Sequence, residues 1–248
     1  MIGLVGSGNM ARALALGWGE PVLCTDVFHE RAEALARETG GEALAGNGEL
    51  ADKADVIVLC HKPAQLEEVA EQVGGRAKGV ISILGATPLQ KVKDAYGDTP
   101  VVRIMPSTPV EVRDGVSCHA RDPEADPELE RRALELFGRV GPVVTVDEHQ
   151  IDAAMGLMSC APAYWALLVE AQVDAGIRAG VPQEIAQELV VGTMAGTAKL
   201  LKKRGGDTLA TKRQVMSPGG STARGLAALE RGGVRAAFDE AMQAVVQR

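Results

Sequence analysis

Six short apolar runs punctuate the first 146 residues: Ile2–Val5, Val22–Thr25, Val56–Cys60, Val80–Leu84, Val101–Ile104 and Val143–Val146. Most are unbroken and rich in Val and Ile, as strands covered on both faces are, rather than alternating as in a half-solvated sheet. Between them, apolar positions repeat at helical spacing. Met10, Leu14 and Trp18 fall on one face, and so do Leu129, Ala133, Leu136 and Phe137. Asp126-Pro127 offers the second of these helices a side-chain cap and a proline at its first position. Strands alternating with helices predict an α/β domain with a mainly parallel sheet and helices on both sides.

Beyond about residue 147 the strand pattern stops. Ala153 to Val169 is almost wholly apolar, interrupted by Gly156 and Pro162. It falls short of the ~20 residues a membrane span needs, so a helix buried between subunits is the expectation. A further helix should start near Pro182 and stop at Lys202-Lys203-Arg204 and Gly205-Gly206, with cations in its last turn and glycine after it. The remainder reads as helical, broken at Ser217-Pro218-Gly219-Gly220. The expected division is an α/β domain over residues 1–147 and an all-helical dimerisation domain over residues 148–248.

Composition narrows the possibilities. Apolar residues make up 46% and charged residues 24% of the 248, enough for a sizeable core. With aromatics at 3%, that core must be built from Ala, Val and Leu. A net charge of −7 argues against a nucleic-acid partner, whose phosphates need clustered cations. Cys24, Cys60, Cys118 and Cys160 form no C-x-x-C pair, so neither a zinc site nor a disulfide framework is expected, and reduced thiols suit a cytoplasmic protein. The N-terminus lacks the basic and apolar regions of an export signal.

Gly6-Ser7-Gly8-Asn9-Met10-Ala11 joins the first strand to the first helix. Two glycines there permit a tight turn, and the helix start offers free N–H groups and a positive dipole end to a pyrophosphate. Ala11 stands at the third position of this G-x-G-x-x-A, where helix and strand pack closely. Its place between strand and helix is the context that gives so short a motif meaning. Asp26 stands 20 residues after Gly6, at the end of the second strand. Its carboxylate suits a ribose 2′-hydroxyl and repels a 2′-phosphate, favouring NADH over NADPH; Arg31, five residues on, is the nearest arginine. The alternative is that Asp26 caps the next helix.

Ser217-Pro218-Gly219-Gly220-Ser221-Thr222 precedes a helix expected from about Ala223. Consecutive glycines expose backbone N–H groups at a helix start, a cradle for a carboxylate, with the Ser217 and Thr222 hydroxyls beside it. The plainer reading is an N-cap by Ser221 or Thr222.

These segments together resemble the pyrroline-5-carboxylate reductase family over nearly the whole chain. Gly6-Ser7-Gly8-Asn9-Met10 is similar to its G-x-G-N-M opening, Asn47 to the asparagine before the fourth strand, and His61-Lys62-Pro63 to its V-K-P loop. Arg103-Ile104-Met105-Pro106-Ser107-Thr108-Pro109 resembles R-x-M-P-N-T-P. Val146-Asp147-Glu148 and Pro162-Ala163-Tyr164 sit where the family's long helix begins and bends. Val215-Met216-Ser217-Pro218-Gly219-Gly220-Ser221-Thr222 resembles V-T-S-P-G-G-T-T. Three departures lie near the expected active site: Ser107 for Asn, Met216 for Thr, and Met158-Ser159-Cys160-Ala161 for a segment usually reading S-G-S-G.

The resemblance implies hydride transfer from NAD(P)H to the C=N carbon of a cyclic imine carboxylate, giving proline. It implies Gly6–Met10, Asp26, Asn47, His61–Pro63, Met105 and Pro106 on the cofactor. Ser217 and the Gly219, Gly220 and Ser221 backbone would lie on the substrate carboxylate, with Thr222 near the ring nitrogen. It further implies a homodimer, extended to a ring of dimers, with neither metal nor membrane. A cyclic imine can arrive already protonated, so a strong general acid is not required and none of the scattered His29, His61, His119 and His149 is assigned that role. Two other classes share features with this chain. β-Hydroxyacid dehydrogenases place a lysine on the long helix to protonate an alkoxide, but residues 148–180 contain none. A non-catalytic dinucleotide sensor would not need Ser217–Thr222.

Overall fold

A computed structural model describes residues 1–247. The chain falls into two compact units, Met1–Pro162 and Ala163–Arg248.

The first unit is built on an eight-stranded sheet: β1 (Ile2–Val5), β2 (Val22–Thr25), β3 (Glu42–Ala43), β4 (Val56–Leu59), β5 (Val80–Ser82), β6 (Val101–Pro106), β7 (Ser117–Ala120) and β8 (Val143–Val146). The strand order is β3-β2-β1-β4-β5-β6-β7-β8. Strands β1 to β6 are parallel, β7 runs antiparallel to β6, and β8 is parallel to β7. This is the mainly parallel sheet expected, with two strands, β3 and β7, that the apolar pattern did not reveal. The first is two residues long. The second, Ser-Cys-His-Ala, buries Ser117 and His119 where apolar residues were the only signal sought. The edge strand β8 is partly exposed rather than covered on both faces.

Six helices flank the sheet: α1 (Asn9–Trp18), α2 (His29–Thr39), α3 (Asn47–Lys53), α4 (Leu66–Val73), α5 (Leu89–Tyr96) and α6 (Pro127–Gly138). Helices α1, α2 and α6 cover one face through Leu14, Trp18, Leu35 and Phe137. Helices α3, α4 and α5 cover the other through Leu50, Leu66 and Val92. Each such fully buried side chain stabilises the fold by about 1.5–3 kcal/mol. Trp18 packs edge-on against Phe137 with ring centres 5.8 Å apart, and its indole N–H donates to the Leu136 carbonyl. Asp126 caps α6 as expected, accepting the Leu129 N–H at 2.8 Å ahead of Pro127.

The apolar stretch from Ala153 to Val169 is two helices, α7 (Ile151–Met158) and α8 (Ala161–Arg178). The break falls at Ser159–Cys160, before Pro162, while Gly156 lies inside α7. Proline suits the first turn of a new helix, where its missing N–H costs nothing. Helix α7 packs Ile151, Met155 and Met158 against Met105, Cys118 and Ala120 of β6 and β7. By length and composition alone Glu148–Arg178 would cross a membrane, but the break divides it.

The second unit contains most of α8 together with α9 (Gln183–Lys203), α10 (Thr208–Val215), α11 (Ser221–Arg231) and α12 (Val234–Val246). Helix α9 starts after Pro182 and ends at Arg204, with Gly205 and Gly206 both at positive φ, as expected. Among the described hydrophobic residues of this unit only Val173 and Ala186 are buried. Leu167, Leu189 and Leu229 are more than half exposed, so these helices carry apolar faces with no core of their own.

Candidate active site

The parallel order reverses direction between β1 and β4, and a cleft opens there at the carboxyl ends of the strands, the place where doubly wound sheets take dinucleotides. It measures about 820 Å³ and is lined by Gly6, Gly8, Asp26, Asn47, His61 and Lys62 among others. The two loop glycines serve different ends. Gly6 has φ +97°, and a Cβ there would lie 2.8 Å from the Cys60 carbonyl and the His61 nitrogen. Its missing side chain lets the loop pass the end of β4. Gly8, with ordinary φ, meets nothing within 4 Å, so it borders open space. It caps α1 without a side chain, leaving the first-turn N–H groups of that helix free for an anion. Loop shape and donors thus fit a pyrophosphate. Ala11 is fully buried in the core beneath.

Asp26 braces this loop. One carboxylate oxygen accepts the Ser7 N–H at 2.8 Å and the other accepts the Phe28 N–H at 2.9 Å. Phe28 caps α2, so Asp26 is not that helix's cap. Ser7 donates its hydroxyl to the Thr25 carbonyl. Arg31, set apart from Asp26 in the sequence reading, lines the same cleft. Its guanidinium lies 4.7 Å from the centre of the Phe28 ring and has no ion-pair partner among the described residues. The Phe28-x-x-Arg31 spacing in the first turn of a helix was the signal for it.

Asn47 begins α3 and is tied at both ends. Thr25 donates its hydroxyl to Asn47 Oδ1 at 2.5 Å, and Asn47 Nδ2 donates to Gln72 at 2.6 Å. Neither Thr25 nor Gln72 was singled out from sequence. His61 has Nδ1 2.9 Å from the Lys62 carbonyl and Nε2 buried without a partner; burial lowers its pKa, favouring the neutral ring. Lys62 is exposed, its backbone N–H held by Gln65 ahead of a 3-10 turn at Pro63–Gln65. Burial raises the Cys60 thiol's pKa, leaving it inert. Asn9 is exposed at the start of α1. Met10, Met105 and Pro106 do not join the cleft lining: Met10 packs on the core, Met105 sits in the cluster under α7, and Pro106 is buried at the end of β6.

The departures from the family pattern have separate surroundings. Ser107 is buried; its hydroxyl donates to the Val116 carbonyl and accepts the Val116 N–H, both at 2.9 Å, closing the 107–116 loop on itself. Ser159 donates to the Pro106 carbonyl at 2.8 Å, pinning the α7–α8 break to the end of β6. Met216 ends α10 and is 40% exposed.

Within the second unit, α11 starts at Ser221, not Ala223, and Gly220 is its cap. Ser221 and Thr222 make no side-chain capping bond, so the capping role considered for them is not realised. Gly219 adopts φ +70°, and a Cβ on Gly220 would lie 2.4 Å from Ser217 Oγ. The Gly220 N–H is taken by the Ser217 carbonyl at 3.0 Å and is not free for a carboxylate, while the first helical bond on this side is Arg224 N–H to Gly220. That leaves the N–H groups of Ser221 and Thr222 outward, beside two exposed hydroxyls. Arg224 reaches back to the Gly219 carbonyl at 2.6 Å and holds the loop.

Comparison with known proteins matches the chain from end to end. The chain is 34% identical over 256 residues to pyrroline-5-carboxylate reductase of Synechocystis sp., covering all of this chain and 96% of that one. The chain belongs to the pyrroline-5-carboxylate reductase family. The family model for pyrroline-5-carboxylate reductase dimerisation matches residues 148–248, and that for NADP oxidoreductase, coenzyme F420-dependent, matches residues 1–85. The crystal structure of the 1-pyrroline-5-carboxylate reductase of Streptococcus pyogenes superposes with a TM-score of 0.89 at 27% identity, covering 98% of this chain and 95% of that one. The Plasmodium falciparum reductase, solved with NADP bound, gives 0.88 at 27% identity, with 98% and 94% covered.

Proposed function

We propose that this chain reduces 1-pyrroline-5-carboxylate to L-proline with NAD(P)H, the last step of proline synthesis. The observation that carries the reading is the Ser217–Thr222 loop, with outward N–H groups and hydroxyls at a helix start, in a reductase-family chain that also has a dinucleotide cleft. The bound dinucleotide supplies the hydride. Gly8 and the first turn of α1 bind its pyrophosphate, and Asn47, His61, Lys62 and Pro63 border it. The Ser221 and Thr222 N–H groups and the Ser217 hydroxyl hold the substrate carboxylate, while the Thr222 hydroxyl stands at the ring nitrogen. No strong general acid is needed, because a cyclic imine can bind with its nitrogen already protonated. The missing lysine in residues 148–180 disfavours carbonyl reduction.

Asp26 favours NADH by placing negative charge at the ribose; Arg31, unpaired in the same cleft, keeps NADPH usable. Dinucleotide binding belongs to residues 1–147 and self-association to residues 148–248, whose exposed apolar helices are covered by a second copy. Dimers assemble further into a ring. Four unpaired thiols suit the cytoplasm.

The test is steady-state oxidation of NADH and NADPH with five- and six-membered cyclic imine carboxylates. Turnover should require an imine, prefer the five-membered ring, and show higher kcat/KM with NADH. Asp26→Ser should raise the NADPH-to-NADH ratio. That ratio is the right readout, because losing the brace on Ser7 and Phe28 harms both cofactors alike. Wild-type efficiency equal or better with NADPH defeats the Asp26 argument, and imine-independent oxidation defeats the reductase reading.

A further inference from the structure

Arg103 and Glu148 form an ion pair that the reaction as described does not use. Arg103, on the α5 face of β6, is 3% exposed, and its Nη1 donates to Glu148 Oε1. The same oxygen accepts the Leu89 N–H at 2.8 Å. Leu89 is the first residue of α5, whose cap position holds Pro88 and no capping side chain. Glu148 therefore caps α5 from 59 residues away in the chain, and its charge also meets the positive end of that helix.

Stability does not account for the pair. Arg103 Nε and Glu148 Oε2 are buried without hydrogen-bond partners. A buried ion pair left half-satisfied is often no better than apolar residues of the same size. What the pair does is fix a position. Between β5 and α5 runs Gly85-Ala86-Thr87-Pro88, at the carboxyl edge of the sheet. Ala86 has φ +56°, a left-handed conformation that costs a non-glycine residue energy and persists only where its surroundings impose it. Thr87 is buried and donates its hydroxyl to the Gly85 carbonyl at 3.1 Å. The upstream end of this loop is held by β5 and the downstream end by Glu148. With the adenosine half of a dinucleotide on the β2 side of the switch point, its nicotinamide half falls on the side of β4, β5 and β6, against this loop.

We propose that Glu148 is a positioning residue: anchored by Arg103, it holds the Leu89 amide and thereby sets the Gly85–Pro88 loop against the nicotinamide. The inference rests on the reductase reading of the cleft. Two double variants separate positioning from folding. Arg103→Met with Glu148→Gln removes both charges but keeps an acceptor for the Leu89 N–H. Arg103→Met with Glu148→Leu removes the acceptor too. Neither leaves an uncompensated buried ion. Two readouts are compared, hydrogen–deuterium exchange across residues 83–90 of the unliganded protein and steady-state kinetics. The Leu variant should exchange faster in that segment and lose about tenfold or more in kcat, the scale of a displacement under 1 Å, with KM for the dinucleotide within about twofold. The Gln variant should recover both. Equal exchange in the two variants, equal kcat, or a loss confined to KM overturns the proposal. Absence of imine-dependent turnover in the wild type would sink the reductase reading instead, and the exchange comparison would still decide whether Glu148 holds the loop.

Discussion

Replacing Gly6 and Gly8 in turn by alanine should damage two different properties of one loop. A methyl on Gly6 would lie 2.8 Å from the Cys60 carbonyl carbon and oxygen and from the His61 nitrogen. All three are backbone atoms, so no rotamer change makes room. Overpacking of this kind costs about 1–3 kcal/mol. The backbone at φ +97° adds about 1–3 kcal/mol for any residue with a Cβ. Together these give about 2–6 kcal/mol, a large share of the ~5–15 kcal/mol by which domains are stable. At roughly 2–4 °C per kcal/mol for a chain of this size, Gly6→Ala should lower Tm by at least about 4 °C. Gly8 has φ −77° and nothing within 4 Å, so its methyl adds neither strain nor clash. That methyl instead points into the space a pyrophosphate would fill. Gly8→Ala should keep the wild-type Tm and weaken NADH binding by tenfold or more, about 1.4 kcal/mol. Thermal melts and fluorescence titrations of NADH read the two effects separately. Unchanged Tm in Gly6→Ala would refute the close approach to β4, and wild-type NADH affinity in Gly8→Ala would refute the placement of the pyrophosphate.

Thr222→Val should lower kcat/KM for the imine about tenfold or more with NADH affinity unchanged, while Thr222→Ser should be nearly silent. Because Thr222 makes no capping bond, Tm should hold in both, and full activity in the Val variant would remove the hydroxyl from the mechanism. Light scattering at micromolar concentration should give a mass of at least two chains, given the uncovered Leu167, Leu189 and Leu229, and a monomer would contradict the covered interface; a mass of exactly two chains at all concentrations would exclude the ring.

What the sequence disclosed and what it hid follow one physical division. Strands buried on both faces leave continuous Val and Ile runs, so β1, β2, β4, β5 and β6 were legible to within two residues. The cap at Asp126 and the stop at Gly205 were legible because each satisfies backbone groups within a few positions of itself. Strand β7 was not, because its burial follows from pairing with β6 rather than from its own composition. His119 lies there with Thr145 of β8 3.2 Å from its Nδ1, while its Nε2 is buried without a hydrogen-bond partner, 3.3 Å from a Glu130 oxygen on α6. The site divides in the same way. A tight turn at positive φ is a local demand, so Gly6 was visible, whereas its close approach to Cys60 and His61 was not. The fastenings from Asp26 to Ser7 and from Thr25 through Asn47 to Gln72 shape the cleft, and the one from Arg103 through Glu148 to Leu89 holds the start of α5. Each joins segments whose proximity exists only once the strand order does.

The same division decides how a departure from a family pattern should be read. Ser107 lies inside a motif, and by position alone it counts as a departure near the active site. Its hydroxyl is spent on both backbone groups of Val116, so what it shapes is the 107–116 loop. Ser159 also lies in a divergent segment, yet its bond to the Pro106 carbonyl joins the α7–α8 break to the end of β6. A change there moves an element, whereas a change at Ser107 loosens a loop. Motif position located both residues, but only the direction of the side chain separates a change that redraws the site from one that leaves it standing. Met216, 40% exposed where α10 ends and one residue before Ser217, is then the departure that bears most directly on the loop proposed to hold the substrate carboxylate.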